Sequence, residues 1–442
     1  MKTTMKLINY LGMAMVIGLF TFTLNSCSED TQTFENCTNG IDDDGDGLID
    51  CNDPDCANFS NCNTSDDPTV ELGGSVGTRT LHPDTIYVID RFTYVDDGDI
   101  LTILPGTILK AKTGDGADAS ALIIARGGTL LAEGSADKPI IFTSVNDGIA
   151  VGETASTLDP ALDAGKWGGL IILGRAPISA TVAKGDTETS VEGVPESFTF
   201  GKYGGSIPGD NSGKLKYVSI RFTGTKLATN SEIQGLTLGG VGSGTEIENI
   251  EIISSDDDGI EIFGGAVNVS KALIVYQADD GLDFDQSYDG TVSNSMVVTF
   301  NPSEGNDALE LDGPEGPSNT TGLFTITNCT FINKGGNGRA AMLKSGAQGT
   351  ITDCVFEDFN NWIFVDGGTA NTNFTNGTLE VLDSEFDNAS LTGVFGTSAD
   401  STTNANSIAS FEAAGNVATT TFTKGATADF SWTWAKTLNL ID

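Results

Sequence analysis

One phrase returns down the second half of the chain and constrains its fold more than any other feature. Its copies are Asp257-Asp-Gly-Ile-Glu-Ile-Phe263, Asp279-Asp-Gly-Leu-Asp-Phe-Asp285 and Asn306-Asp-Ala-Leu-Glu-Leu-Asp312, with degenerate copies Gly338-Arg-Ala-Ala-Met-Leu-Lys344 and Asn360-Asn-Trp-Ile-Phe-Val-Asp366. A second phrase keeps step with it: Ile247-Glu-Asn-Ile-Glu-Ile, Val269-Ser-Lys-Ala-Leu-Ile, Val292-Ser-Asn-Ser-Met-Val, Ile326-Thr-Asn-Cys-Thr-Phe and Ile351-Thr-Asp-Cys-Val-Phe. The period is irregular, roughly 22–32 residues, which is the range of solenoid coils. Alternation within each phrase turns Ile, Val, Leu and Phe to one side. A single coil cannot bury that side, whereas a stack of coils can.

Earlier segments fit the same scheme. Leu101-Thr-Ile-Leu-Pro-Gly-Thr107, Leu122-Ile-Ile-Ala-Arg-Gly-Gly-Thr-Leu130, Leu131-Ala-Glu-Gly134, Pro139-Ile-Ile-Phe-Thr-Ser144 and Lys166-Trp-Gly-Gly-Leu-Ile-Ile172 follow one another. This succession closely resembles the opening coils of bacterial right-handed parallel β-helix proteins, over nearly all of residues 71–442. The resemblance implies an all-β, single-stranded solenoid. Abundant Gly and scarce Pro suit many short strands and tight turns. Cys329 and Cys354 stand where earlier coils carry Ala272 and Ser295, and are expected to be buried packing thiols. Asp429-Phe-Ser-Trp-Thr-Trp434 is expected to cap the last coil.

In each copy of the first phrase the fourth and sixth residues are apolar and must face the core. The fifth and seventh are then expected to face solvent. Stacking gives one column of Asp258, Asp280, Asp307, Arg339 and Asn361, and a second of Glu261, Asp283, Glu310, Met342 and Phe364. A third reads Phe263, Asp285, Asp312, Lys344 and Asp366. Neighbouring strands lie about 4.8 Å apart, where like charges are destabilising. A carboxylate patch three coils tall therefore calls for cations, raised pKa values or a bound partner.

Calcium suits such a patch, because it accepts six to eight oxygens in flexible geometry. The Asp-Asp-Gly-x-Asp phrase also resembles the calcium-site phrase of β-helix polysaccharide lyases. That resemblance implies calcium on Asp258, Asp280, Asp283, Asp285, Asp307, Glu310 and Asp312, and a polysaccharide partner. For a lyase it would make Lys344 and Arg339 the catalytic candidates. The acids around Lys344 are expected to raise its pKa and make it a poor base unless bound calcium neutralises the wall first. A glycosidase carboxylate pair within the wall is a further possibility.

Residues 1–26 read as a targeting segment, with Lys2 and Lys6 ahead of an apolar stretch from Leu11 to Phe22. Leu24-Asn-Ser-Cys27 resembles a lipobox, which implies lipidation of Cys27, a plain secretory signal being the alternative. Ser28-Glu-Asp30 resembles an acidic surface-export tag of some Gram-negative lipoproteins. Residues 27–70 read as a spacer. Cys37, Cys51, Cys56 and Cys62 form an even cluster read as two disulfides with the pairing open. Between the first two, Asp42, Asp44, Asp46, the carbonyl of Leu48, Asp50 and Asp53 fall at the ligand positions of an EF-hand-type loop, with Gly47 at the turn. Asp53 in the last position makes the loop resemble those of dockerins. A disordered acidic linker is the alternative.

The formal charge of -39 makes nucleic acid and anionic membrane surfaces poor partners and cations natural ones; solubility alone could also explain it. His82 is the only histidine, so histidine triads and histidine metal sites are excluded. Gly73-Gly-Ser-Val-Gly77 has the letters of a nucleophile elbow, but no helix follows and it reads as a linker turn. The expectation is a lipid-anchored outer-membrane protein, exposed at the cell surface, whose calcium-loaded β-helix binds extracellular or envelope polysaccharide. The alternatives are a calcium-dependent uronate lyase and a non-enzymatic spacer or surface accessory of an outer-membrane transporter.

Overall fold

The computed structural model describes residues 67–441 apart from 193, 196, 229–230, 301–306, 336–337 and 399–409. Cys27, the four-cysteine cluster and the calcium-loop residues Asp42, Asp44, Asp46, Leu48, Asp50 and Asp53 all lie outside the described residues.

The described chain is a right-handed parallel β-helix with three parallel sheets. One, called here the wall sheet, stacks Ala121–Ile124, Leu170–Leu173, Leu236–Gly239, Ile260–Phe263, Leu282–Asp285, Leu309–Leu311, Arg339–Leu343, Asn361–Val365 and Phe395–Thr397. The second begins at Arg79–Leu81 and runs to Leu379–Leu382. The third runs from Thr69–Ser75, through the start of Ile86–Val95, to Val417–Ala418. Among the described strands, antiparallel pairing is confined to Glu188–Ser190 with Lys202–Gly204 and to Lys226–Ala228 with Ser231–Glu232.

The core is the stack that alternation predicts. Ile220, Ile252, Ile274, Val297, Phe331, Phe356 and Phe386 are successive register partners. The last three rings stack at 5.0 and 4.9 Å. Cys329 and Cys354 are buried free thiols within this core, as their small-residue column implied. A corner residue joins the second and third sheets in each coil: Tyr217, Asn249, Lys271, Asn294, Asn328, Asp353 and Asp383, with φ between 45° and 55°. Only Gly, and less readily Asn and Asp, takes this left-handed conformation cheaply. That preference explains the Asn or Asp in the third place of four of the five copies of the second phrase; Lys271 is the exception and takes the same φ at a steric cost.

Two expectations are corrected. Gly73 and Gly74 lie within the strand Thr69–Ser75, the first of the solenoid, rather than in a linker. The segment from Asp429 to Trp434 does not cap the last coil. It lies against middle coils, with Trp434 on Phe222 at 5.8 Å and Trp432 on Tyr217 at 5.4 Å. The physical reason is that the third sheet is apolar outside as well as inside here: Phe222, Ile253, Leu273, Val275 and Val298 need a cover, and the C-terminal segment provides it. The far end is closed by Phe411, whose ring meets Phe386 and Phe395 at 5.4 and 5.3 Å.

Candidate functional site

The acid-bearing phrase falls on three neighbouring strands of the wall sheet, in the register that its repeats imply. Glu261 pairs with Asp283, Asp283 with Glu310, Glu310 with Met342 and Met342 with Phe364. Toward the N-terminus the same outward column reads Tyr94, Ile123, Ile171 and Thr237. The acids are thus a three-coil interruption of an otherwise uncharged column. Phe263 pairs with Asp285 in the next column, which continues to Asp312 and Lys344.

Asp258, Asp280 and Asp307 do a separate job that the sequence did not disclose. The Asp280 N–H donates to Asp258 Oδ1 at 2.8 Å, and the Asp307 N–H donates to Asp280 Oδ1 at 2.6 Å. The Arg339 N–H donates to Asp307 Oδ1 at 2.7 Å, and Arg339 Nε to Asp307 Oδ2 at 3.0 Å. Each buried carboxylate therefore fastens its coil to the next by satisfying a main-chain donor, which would be costly to leave unpaired. The repeat of Asp at one position was the available signal.

The fifth residues are less open than alternation suggests. Glu261 is only 7% exposed. The long connection between Leu173 and Gly213 folds over this edge of the sheet. Tyr203 packs on Phe263 at 5.9 Å, and its hydroxyl donates to Gln286 Oε1 at 3.3 Å. The Ser179 N–H donates to the Gln286 carbonyl, and the N–H groups of Glu315 and Gly316 donate to the Ser179 carbonyl. The spacing of the repeats carried a hint of this cover, since that connection alone is longer than one whole period.

Partial burial leaves acceptors stranded. Among the described residues Glu261 Oε2, Asp283 Oδ1 and Asp312 Oδ1 are buried and have no hydrogen-bond partner. Three groups of carboxylates bring their oxygens within 4.8 Å of one another: Asp257, Asp258 and Asp279; Asp258, Glu261 and Asp283; and Asp280, Asp307 and Glu310. These groups could hold cations, because a hard cation takes carboxylate oxygens at such separations.

The electrostatics match this crowding. Burial, reinforced by neighbouring negative charge, pushes Asp258, Glu261, Asp280 and Asp283 well above the usual carboxylate range. Burial and the charge of Asp312 raise Asp285 to about 8. Asp312 is raised to about 6 by burial, against the opposing charge of Lys344. Asp307 is raised by burial, tempered by its bonds to Arg339. Burial pulls Lys344 down, but its hydrogen bond to Glu310 and the charges of Glu310, Asp312 and Asp283 outweigh it, so the ammonium is held above the usual lysine value. Both basic residues singled out in the sequence thus sit beside the acids, each tied to one of them.

A parallel β-helix with a crowded carboxylate face on one sheet defines the class of this protein. The chain belongs to the pectate-lyase-like β-helix family, whose sequence profile matches residues 74–437. No curated protein matches it, and no solved structure does.

Proposed function

We propose that this protein is a surface-exposed, lipid-anchored polysaccharide-binding β-helix in which calcium on the acidic wall carries recognition of the glycan. The observation that supports it most is the set of stranded carboxylate oxygens on adjacent coils, Glu261 Oε2, Asp283 Oδ1 and Asp312 Oδ1. Family membership supports a polysaccharide as the partner. Calcium, when bound, supplies positive charge and open positions for glycan oxygens. The chain's own part is to hold Asp258, Glu261 and Asp283 in register, keep water from their inner oxygens and stiffen the coils through the Asp258–Asp280–Asp307 ladder.

Binding is favoured over lyase chemistry by the ties of the two basic residues. A general base must give up its proton near working pH, and in the metal-free chain the Lys344 ammonium is bonded to Glu310 and held above the usual lysine value by Glu310, Asp312 and Asp283, a hold that calcium on those acids would relax. Arg339 is committed to Asp307. Affinity electrophoresis of the full chain through gels containing polygalacturonate or alginate tests the reading. Retardation with calcium, loss of it in chelator, and no rise in the absorbance of unsaturated products are expected. Mobility unchanged by calcium on every acidic polysaccharide would overturn calcium-carried binding, and calcium-dependent product formation would replace it with the lyase.

A further inference from the structure

Four strands from Glu261 along the same sheet, a cavity of about 880 Å³ opens at the N-terminal coils. Its walls include Asp90, Arg91, Phe92, Tyr94, Phe198 and Phe200. Local backbone makes the opening. In the first pair of coils Gly73 pairs with Asp90 and Gly74 with Thr93, so Arg91 and Phe92 have no partner there. The two glycines also put no side chain above them. Arg91 takes a φ of 51°, which turns the chain at this corner.

Onto this floor Phe198 and Phe200 bring two more rings. Tyr94 and Phe200 stack at 4.2 Å with 13° between planes, and Phe200 and Phe198 at 5.0 Å with 15°. The result is a pile of near-parallel rings whose outer member, Phe198, is 42% exposed. No other aromatic side chain among the described residues is as exposed. An exposed ring at the mouth of a cavity of ligand size, held in place by the stack on Phe200, presents an apolar face that a ligand can cover.

Charge says what kind of molecule fits. The chain has six arginines in a molecule of charge -39. Three of them, Arg91, Arg126 and Arg175, line this cavity and the smaller one that shares Phe200 with it. Each has a carboxylate at hand: Asp90 at 3.9 Å, Glu188 at 2.5 Å and Asp97 at 2.8 Å. The linings themselves carry Asp90, Asp96 and Asp97 against the three arginines, so the walls are balanced in charge and rich in both donors and acceptors. The Arg91 side chain is 64% exposed, and its one ion pair among the described residues is the long contact to Asp90. A neutral ring with one apolar face and hydroxyl groups at its edge meets both halves of this chemistry: the face lies on Phe198, and the hydroxyls meet Arg91 and Asp90.

We propose that this cavity is a subsite for a neutral pyranose ring of a polysaccharide, separate from the acidic wall and independent of calcium. It rests on the polysaccharide reading of the family and adds a second point of contact to it. The test uses the full chain in affinity gels of xylan, galactan, glucomannan, polygalacturonate and alginate, with calcium and with chelator. At least one neutral polysaccharide should retard the wild type in chelator. Phe198→Ala should weaken that retardation about tenfold with only a small fall in melting temperature, because the ring is partly exposed and stacks on Phe200 at the outer end of the pile; Phe198→Trp should preserve it, and Arg91→Ala should weaken it about threefold. The double variant Asp283→Asn with Glu310→Gln should leave the calcium-independent retardation intact. Equal retardation of Phe198→Ala and wild type would sink the subsite while leaving polysaccharide binding in place. No retardation of the wild type on any gel, with or without calcium, would sink both.

Discussion

Glu261 and Asp283 are direct register partners on adjacent parallel strands, and each keeps one buried carboxylate oxygen without a hydrogen-bond donor. Two like charges at strand spacing destabilise a sheet, and a buried acceptor left unpaired costs about 1–3 kcal/mol. The pair persists because something else compensates: a proton shared within the cluster or a cation bound across it. The two remedies make opposite demands on solution conditions, so they can be told apart.

If a cation is the remedy, calcium should raise the melting temperature of the solenoid. Binding to the native state adds RT ln(1 + [L]/Kd), about 2.7 kcal/mol at a hundredfold excess over Kd. The comparison belongs in an Asp46→Ala background, which removes a central ligand of the expected N-terminal loop. Asp280→Asn with Asp283→Asn should shrink the calcium dependence and raise the stability of the metal-free protein. The amide oxygen introduced by Asp280→Asn can still accept the Asp307 N–H, so the coil fastening survives. A melting temperature indifferent to calcium would leave protonation as the compensation.

Protonation has its own signature in metal-stripped protein. Acids whose pKa is raised in the folded state bind more protons there than when unfolded, so stability falls as pH rises. For Asp312, near 6, and Asp285, near 8, the contribution is complete below the unfolded carboxylate value and is lost as pH climbs through those figures. Lowering the pH from about 8.5 to about 5.5 should therefore raise the melting temperature of the stripped protein. Saturating calcium should flatten the slope, because a bound cation holds the carboxylates ionised. A stripped protein that loses stability over that acid-going interval would contradict the raised values.

The corner column gives a test free of the wall. Asn328 has a φ of 53° and joins the second sheet to the third. Asn328→Val should cost about 1–2 kcal/mol, the penalty of a left-handed conformation for a residue with a crowded Cβ. Asn328→Gly should be close to neutral, because glycine enters that region freely. Denaturant midpoints of the three proteins check the order, and a tolerated valine would count against the corner geometry.

Much of this was readable from the chain. Alternation around Ile252, Ile274 and Phe331 identified the inward faces, and the spacing of the Asp-Asp-Gly phrases put Glu261, Asp283 and Glu310 in one column. Both are local periodicities, which sequence reports directly. The cover over Glu261 and the resting place of Trp434 were not readable. An insertion or an apolar tail shows that it needs a surface without showing which surface, and the outward apolar face of the third sheet emerges only when distant coils are stacked. The role of Asp258 and Asp280 as main-chain fasteners was hidden for another reason: a carboxylate that ligates and one that accepts an N–H look alike in sequence.

The anchor and its spacer make an independent prediction. Cys27→Ser should leave the protein unprocessed or release it from the membrane fraction, and lipid labelling should vanish. With Cys37, Cys51, Cys56 and Cys62 oxidised, calcium should order the 36–62 segment, and Asp46→Ala should abolish the effect. Persistent lipid labelling of the serine variant would rule out the anchor, and identical calorimetry of the two loops would rule out the calcium spacer.

The C-terminal strap is expected to be a principal stabiliser of the middle coils. Arg221 is fully buried beside Glu251, with 3.9 Å between Arg221 Nη2 and Glu251 Oε2. Ser219 bridges them, accepting from Arg221 Nε at 2.8 Å and donating to Glu251 Oε2 at 2.5 Å. The strap closes this polar island: the Trp434 ring lies 4.8 Å from the Arg221 guanidinium, and the Ala435 N–H donates to Glu251 Oε1 at 2.8 Å. Trp434→Ala should cost about 3–5 kcal/mol, the range for a large aromatic removed from a packed site, and should speed hydrogen exchange at Ile253 and Val275. Arg221→Met alone strands the Glu251 charge and should be strongly destabilising, whereas Arg221→Met with Glu251→Gln should recover most of the loss. Hydrogen exchange and melting curves of the four proteins decide it. Exchange at Ile253 and Val275 that is unchanged by Trp434→Ala would mean that the third sheet needs no cover and that the strap merely rests on it.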